Sequence, residues 1–475
     1  MNFDDIIYVS LLVSCILFGK IYHKLENNDT KKWIGTTFGL LIVFAVSGWH
    51  LLHPIIACTL CALIILHVDK RKCHLVSFGF MFAYLMFFRM TERFGLSTPP
   101  GHTNMVQMIL TLKLVGLAFE RNLVLCASDG KDNALEKKTF ENITFVDIIH
   151  YAFNYIGLLT GPYFRYRTFV DYFSLPFKDS ANCIEETINK IKWIPLFAVV
   201  YLSVNYLWPL SYTEDPEFYN DRSTFYRLLF TWPLFLTFRM RIYIGITLSE
   251  CVCTMAGFGA YPKSADNAAG CGPRKEYLSL ASNSEKHDYD FETIHNVDAY
   301  TTDTCWTFRE AMKSWNMCVQ YWLAINVYKR FPSKSFRTHA TLLVSALWHG
   351  VYPGYYFCIL GAPFYLPIED IYDKLVRKSA EGLKLKCINV VFWISKFFAF
   401  SYLGIAFQLL TIDRIWFYYN SVYHLGYVYF LAMYIIGKIL LSIRKRPSSS
   451  ASSISTNSPS SKEAESITAK TTKTD

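Results

Sequence analysis

Long runs of apolar residues without charge recur along this chain and set its predicted architecture. A run of roughly 18 or more such residues is typical of a helix that spans a bilayer rather than of a soluble core helix. The runs lie near residues 6–22, 33–49, 51–68, 73–90, 103–120, 145–164, 193–210, 306–331, 339–368, 390–410 and 415–443. The stretch from Phe225 to Tyr261 is long enough for two spans, or for one span and a re-entrant segment. By the ~20-residue length rule, this pattern predicts an all-α polytopic integral membrane protein with about ten to twelve membrane helices.

The composition is typical of an integral membrane protein. Of the 475 residues, 52% are hydrophobic and 18% are charged, whereas soluble chains carry about 25% charged residues. The first run follows Asp4 and Asp5 instead of a basic segment, so we interpret it as a retained span and not as a signal peptide. Residues 1–443 are predicted to form one membrane domain. Residues 444–475 are rich in Ser and Thr and lack aromatic residues, which predicts a disordered tail.

Clusters of basic residues indicate the orientation, because short cytoplasmic loops are enriched in Lys and Arg. Such clusters occur at residues 31–32, 70–72 and 444–446. The last cluster follows the final apolar run directly, which predicts a cytoplasmic C-terminus. The formal net charge of +9 would suit an anionic substrate or lipid surface, but the orientation bias explains it as well.

One apolar run contains an ionisable residue at a depth where charge is costly. From Thr338 to Ile368 there is no Asp, Glu, Lys or Arg, yet His349 lies twelve residues after Arg337. At ~1.5 Å per helical residue this is about 18 Å, near the middle of a hydrocarbon layer ~30 Å thick. Such a residue is a functional candidate, although a histidine that hydrogen-bonds between helices would occupy the same position. Glycines and prolines interrupt the run after His349, and broken helix at this depth requires protein or a water-filled cavity around it. We therefore expect a tunnel with broken or re-entrant segments beside His349.

A second polar site opens the apolar stretch that ends at Lys329. Asn316 and Gln320 are four residues apart and therefore share one face of a helix. Hydrogen bonds between membrane helices would explain either residue taken alone. Asn316 becomes a candidate functional residue only in combination with His349.

The pairing of Trp315-Asn316 with Trp348-His349-Gly350 resembles the active-site signature of the membrane-bound O-acyltransferase superfamily. In that family an Asn or Asp in a cytosol-facing segment and a His within the membrane form the pair. Further segments resemble its lysophosphatidylinositol acyltransferase branch, and they extend through most of residues 75–360. These segments are Thr160–Arg167, Phe238–Arg241, Ala256–Pro262, Tyr289–Ile294 and Ser345–Tyr356.

This resemblance implies an acyl-CoA-dependent enzyme of the endoplasmic reticulum membrane. It would re-acylate the sn-2 hydroxyl of lysophosphatidylinositol with a polyunsaturated, arachidonoyl-type chain. Acyl-CoA would be a co-substrate, and neither a cofactor, a metal nor a nucleic-acid partner is expected. A sibling acyltransferase for lysophosphatidylcholine, lysophosphatidylethanolamine or lysophosphatidylserine is an alternative. A membrane transporter is an alternative from a different class, but it would not need a His/Asn pair.

The two residues also suit this chemistry in their own right. Acyl transfer from a thioester to an alcohol needs a base for the hydroxyl proton and a donor for the developing oxyanion. We assign His349 as general base, with a hydroxyl, amide or backbone group as its second partner, since no Asp or Glu lies near it in sequence. Asn316 is assigned to position the thioester or to stabilise the oxyanion. Four arginines are candidates for phosphate contact because Arg is a forked, permanently charged donor, although snorkelling at the membrane interface would also explain them. They are Arg165, Arg167, Arg239 and Arg241.

Overall fold

Helices dominate the computed structural model, which describes residues 3–127 and 134–445. The helices are α1 Phe3–His23, α2 Asn28–Ser47, α3 Leu52–His67, α4 Cys73–Arg89, α5 Gly101–Cys126, α6 Ala134–Glu141, α7 Phe145–Phe153, α8 Tyr166–Ser174, α9 Phe177–Ser180, α10 Cys183–Ile191, α11 Ile194–Leu207, α12 Pro216–Asn220, α13 Thr224–Met255, α14 Ala299–Thr304, α15 Phe308–Lys313, α16 Met317–Leu323, α17 Arg337–His349, α18 Pro353–Ile359, α19 Ala362–Tyr372, α20 Gly382–Leu409, α21 Ile412–Ser421 and α22 Leu425–Lys445. Four two-residue strands form two antiparallel pairs, β1 Tyr261–Pro262 with β4 Tyr289–Asp290, and β2 Asn267–Ala268 with β3 Gly272–Pro273. The predicted all-α class is therefore confirmed, and the predicted disordered tail lies almost entirely outside the described residues.

Several helical segments are suited to a membrane. Within the described ranges, five segments are long and apolar enough to cross a bilayer. They are Asp5–His23, Asn28–His67, Cys183–Glu214, Gly382–Leu409 and Leu425–Arg444. Many of their side chains face outward, where lipid would cover them. These helices fit a multi-pass membrane protein, while the count of ten to twelve membrane helices stays a prediction.

The long apolar stretch after Phe225 folds differently from either predicted arrangement. It forms α13, one continuous helix of 32 residues with Pro233 inside it. The Thr237 hydroxyl donates to the Pro233 carbonyl at 3.0 Å, while the Leu229 carbonyl loses the helical N–H donor that proline lacks. The helix ends at Met255, and Gly257, two residues later, has a φ of +75°. The prediction of two spans, or of a span and a re-entrant segment, was wrong because no residue between Thr224 and Met255 interrupts the helix.

The run at 145–164 is also not a single span. Helix α7 ends at Phe153, and the buried chain from Asn154 onward is irregular up to α8. Gly157 and Gly161 adopt φ values of +61° and +90°, which an α-helix cannot include. The buried Lys113 ammonium donates to the carbonyls of Tyr151 at 3.4 Å and Ile156 at 3.3 Å. The non-helical backbone is thus enclosed by protein, as it would have to be within a bilayer.

The apolar interior consists mainly of two large clusters, which meet at the site described below. The N-terminal cluster draws chiefly on α1–α5, α7, α8, the end of α13 and α16. The C-terminal cluster draws on α12, the first half of α13, α15 and α19–α22. Helix α13 belongs to both clusters and packs against α1, α10, α11 and α20. This long helix therefore connects the two halves of the protein.

Candidate active site

One large cavity brings the two predicted catalytic residues into a common space. It has a volume of about 1210 Å³, and both His349 and Asn316 contribute to its wall. The wall also takes residues from both apolar clusters, among them Trp348 from the N-terminal cluster and Leu403 from the C-terminal cluster. The two residues lie 33 positions apart in sequence, so only the tertiary fold brings them together.

His349 lies at the point where a helix breaks. It is the last residue of α17, and the next residue, Gly350, has a φ of +147° that only glycine adopts readily. The Gly350 N–H donates to the Ala346 carbonyl at 3.0 Å and closes the last turn. Pro353 then begins α18. The predicted run around His349 is therefore broken into the short helices α17, α18 and α19, as its glycines and prolines indicate.

Aromatic rings from three directions hold the His349 imidazole. The ring centroids of Trp348, Phe407 and Tyr355 lie 4.9, 5.1 and 5.8 Å from the imidazole centroid. The Trp348 indole is itself fixed, because its N–H donates to the Met108 carbonyl at 3.0 Å. Within residues 3–127 and 134–445, the expected hydroxyl, amide or backbone partner of the imidazole is not found. Packing orients the ring in its place, because α18 and α20 bring aromatic side chains to this position.

Asn316 owes its position to an unusual backbone conformation. It precedes α16 with φ +50° and ψ +49°, the left-handed region that Asn tolerates better than most residues. Its own side chain makes no cap bond to the helix. Asn296 caps the helix instead. Its carbonyl accepts the Met317 N–H at 2.7 Å, and its Oδ1 accepts the Cys318 N–H at 3.1 Å. The Asn316 amide is therefore not needed by the helix.

A buried ionic network fixes the segment that contains Asn296. Glu250 Oε1 accepts the N–H groups of Asn296 at 2.7 Å and Val297 at 3.1 Å, and Lys190 Nζ pairs with Oε2 at 2.8 Å. Glu250 is 2% exposed. Sequence reasoning missed both Asn296 and Glu250. A glutamate within an apolar helix is a signal that could have found the second of them.

Gln320 supports the turn before Asn316. Its amide donates to the carbonyls of Met312 and Trp315, and it lines the same cavity as Asn316. The Trp315 ring packs against Tyr243 with centroids 5.6 Å apart. The shared face that the four-residue spacing predicts is thus directed towards the cavity.

Two of the four candidate arginines line the cavity. Arg239 is 4% exposed, pairs with Asp303 at 3.0 Å and packs under the Phe397 ring, whose centroid is 4.3 Å from the guanidinium carbon. Arg241 is more open, with 59% of its side chain exposed, and donates to Asp5 at 2.8 Å. Both residues bring positive charge to the cavity wall, although each already has a carboxylate partner.

The other two arginines lie outside the wall of this cavity. Arg165 pairs with Glu120 at 3.3 Å and Glu136 at 3.8 Å. Arg167 pairs with Glu136 at 3.2 Å and donates to the Tyr277 hydroxyl at 2.8 Å. We call these two arginines and two glutamates the arginine–glutamate cluster. Glu120 also accepts backbone N–H groups at the start of α8, so the cluster holds that helix against α5.

The cavity therefore presents an imidazole and an amide together, enclosed largely by aromatic and aliphatic side chains. A neutral imidazole can accept the proton of a hydroxyl group, and an amide N–H can donate to a developing oxyanion. Across the described part of the chain, no group of three or more His, Cys, Asp or Glu side chains is arranged to hold a metal ion.

Comparison with known proteins identifies the family. The membrane-bound O-acyltransferase family profile matches residues 102–412, which include both Asn316 and His349. The membrane-bound acylglycerophosphatidylinositol O-acyltransferase frj of Drosophila melanogaster is 51% identical over 463 residues, which is 94% of either chain. The membrane-bound acylglycerophosphatidylinositol O-acyltransferase MBOAT7 of Homo sapiens is 34% identical over 448 residues, which is 92% of this chain and 94% of the human one. This chain is therefore an acyltransferase and belongs to the membrane-bound O-acyltransferase family.

Proposed function

We propose that this protein transfers an acyl chain from acyl-CoA to the sn-2 hydroxyl of lysophosphatidylinositol. The observation that carries the proposal is the shared cavity of His349 and Asn316, in a chain whose relatives over almost its full length are named acylglycerophosphatidylinositol O-acyltransferases. The acyl chain is polyunsaturated and of arachidonoyl type, and the protein acts in the endoplasmic reticulum membrane with its C-terminus in the cytoplasm. The basic cluster at 444–446 supports this orientation.

His349 acts as the general base. Its imidazole takes the proton of the acceptor hydroxyl while the hydroxyl oxygen attacks the thioester carbonyl carbon. The amide N–H of Asn316 donates to the carbonyl oxygen as negative charge develops there. Collapse of the tetrahedral intermediate breaks the carbon–sulfur bond, and the CoA thiolate leaves with the proton that His349 returns. The acyl group passes directly to the lipid, so no acyl-enzyme is formed.

The cavity wall suits the two substrates. Apolar residues from both clusters, including Phe407 and Leu403, offer a surface for the two acyl chains. Arg239 and Arg241 offer positive charge to anionic groups at the same cavity. Acyl-CoA arrives from the aqueous phase through its soluble head, while the lysophospholipid arrives laterally from the leaflet, so two routes converge on His349.

A panel assay tests the proposal. Purified protein is incubated with labelled acyl-CoA and, separately, with lysophosphatidylinositol, lysophosphatidylcholine, lysophosphatidylethanolamine and lysophosphatidylserine. We expect the highest kcat/KM with lysophosphatidylinositol, because unpaired hydrogen-bonding groups in an inositol pocket discriminate strongly against choline. Comparable kcat/KM for the inositol and choline lipids would overturn the headgroup assignment. A second panel of saturated and polyunsaturated acyl-CoA species tests the chain preference in the same way.

A further inference from the structure

An arginine outside the four candidates lies against Gly350, the residue that follows the proposed general base. Arg89 is the last residue of α4 and lines the same cavity as His349. Its guanidinium fills the space over Gly350, so that a Cβ at position 350 would collide with Arg89 Nη1. At the end of the apolar run 73–90, this residue has the sequence context of an ordinary interfacial arginine. The fold brings its charge to the residue that follows His349.

Arg89 differs from the four candidate arginines in its partners. Each of the four pairs with a carboxylate, namely Arg165 with Glu120, Arg167 with Glu136, Arg239 with Asp303 and Arg241 with Asp5. In the two described stretches, Arg89 has neither an ion pair nor a hydrogen bond, and its Nη1 is buried without an acceptor. Arg239 also has buried nitrogens without a hydrogen bond, but a carboxylate lies 3.0 Å from it. A buried guanidinium N–H without an acceptor is costly. In a membrane protein, an ionisable group that lines a cavity without a partner is a candidate for substrate contact.

The position of Arg89 favours contact with the phosphate of the lysophospholipid over contact with the phosphates of CoA. In a lysophospholipid the acceptor hydroxyl and the phosphate are carried by neighbouring carbons of the glycerol, so a hydroxyl at His349 brings the phosphate close. The phosphates of CoA are separated from the thioester by the whole pantetheine arm. A guanidinium fork also matches phosphate oxygens in geometry and charge.

We infer that Arg89 forms the subsite for the phosphodiester of the lysophospholipid acceptor. This inference rests on the proposed function, and it adds the group that holds the acceptor hydroxyl in register with His349. A phosphate at this position would accept the unused Nη1–H and neutralise the unpaired charge. Arg239 and Arg241, which already have carboxylate partners, would be secondary contributors to anion binding.

Kinetics that vary one substrate at a time test the inference. For Arg89→Gln, we expect KM for lysophosphatidylinositol in mixed micelles to rise by roughly tenfold or more, because a charge-assisted hydrogen bond is lost. KM for acyl-CoA should be unchanged within error. Arg89→Lys keeps the charge and loses the fork, so its KM for the lipid should rise by less. Arg222→Gln is the matched control, since Arg222 pairs with Glu217 on the surface and lies outside the cavity wall.

The outcomes separate this inference from the proposed function. If the wild-type protein does not acylate lysophosphatidylinositol, the headgroup proposal fails, and the lysophospholipid that it does use becomes the varied substrate. If the wild-type protein is active and folded Arg89→Gln keeps the wild-type KM for the lipid, the subsite is wrong. A rise confined to KM for acyl-CoA would also overturn it. Where Arg89→Gln fails to fold, the same comparison of the two KM values in Arg89→Lys decides.

Discussion

Two regions of the protein contain partly buried polar side chains, and they differ in how those side chains are paired. In the arginine–glutamate cluster, Arg165 and Arg167 each meet a carboxylate within 3.3 Å. At the cavity, the His349 ring packs against aromatic residues and the Asn316 amide makes no cap bond. A polar group that is satisfied internally stabilises the fold, whereas one that is left open towards a cavity is available to a substrate. Whether a polar side chain has an internal partner, more than how deeply it is buried, therefore distinguishes residues that support the fold from residues available to a substrate.

The largest effect on turnover should follow from His349→Ala. Loss of the general base is expected to lower kcat by ~10²–10⁴-fold, while the apparent Tm in detergent stays close to that of the wild type. Acyl transfer by purified protein and a thermal unfolding curve measure the two quantities. His339→Ala is the matched control, because it removes an exposed imidazole from the same helix α17. Retention of more than about a tenth of the wild-type rate would contradict the role of base.

Asn316→Ala should reduce kcat by roughly 10²-fold, the usual cost of removing one oxyanion donor. The left-handed backbone at this position offers a second explanation for any loss, since Ala tolerates a φ of +50° poorly. Asn316→Gly separates the two causes, because glycine adopts this conformation freely. We expect the glycine variant to be as inactive as the alanine variant. Recovery of activity in Asn316→Gly would instead assign the residue to the turn and remove it from the chemistry.

The sequence predicts those residues of the site whose role can be recognised from their neighbours along the chain. It does not predict residues whose role depends on partners far away in sequence. His349 and Asn316 are conspicuous as polar residues in apolar surroundings, and their neighbours Trp348 and Trp315 complete a family signature. Asn296 is not conspicuous, because its function as a cap is defined by Met317 and Cys318, more than twenty residues away. The partners of polar residues belong to the tertiary structure, and a pattern along the chain does not contain them.

The arginines and the helix breaks show the same limit. Charge and fork geometry favoured all four arginines equally, but their partners Glu120, Glu136, Asp303 and Asp5 come from distant segments. The roles of Arg165 and Arg167 in substrate binding stay a prediction, now with less geometric support. Apolarity also predicted one span at 145–164, although the helix ends at Phe153 and the glycines beyond it adopt positive φ values. Length and hydrophobicity describe what a segment can do in lipid, and they do not describe where its backbone must turn.

Asn296→Ala should have an intermediate effect, because it removes the cap of α16 without touching the reacting groups. Loss of the Oδ1 bond to the Cys318 N–H is expected to cost on the order of 1 kcal/mol of stability. The fall in kcat should be roughly tenfold at most, since ~1.4 kcal/mol of barrier corresponds to tenfold in rate. Asn296→Asp keeps an acceptor at this position and should recover most of the activity. A loss as large as that of His349→Ala would mean that Asn296 itself contacts the substrate.

A smaller effect is expected for Arg241→Ala. Its side chain is 59% exposed and already donates to Asp5, and solvent-exposed ion pairs contribute only about 0–1 kcal/mol. KM for the anionic acceptor should therefore rise by less than roughly fivefold, with more effect at low salt than at high salt. Steady-state kinetics at two ionic strengths measure both values. A salt-independent loss of tenfold or more would move Arg241 into the group of residues that contact substrate directly.

The smallest effect on turnover, together with a large effect on stability, should come from Glu120→Gln. This variant removes the main carboxylate partner of Arg165 and leaves Glu136 at 3.8 Å. Breaking a buried ion pair costs about 3–5 kcal/mol, and the remaining glutamate should keep the loss near ~3 kcal/mol. Glu217→Gln breaks the exposed pair with Arg222 and should cost less than about 1 kcal/mol. Thermal unfolding measures the difference, while kcat and KM per folded molecule should match the wild type in both variants. A group that only supports the fold does not alter substrate affinity in molecules that remain folded. A change in KM for either substrate without a loss of stability would therefore place the arginine–glutamate cluster in the substrate path.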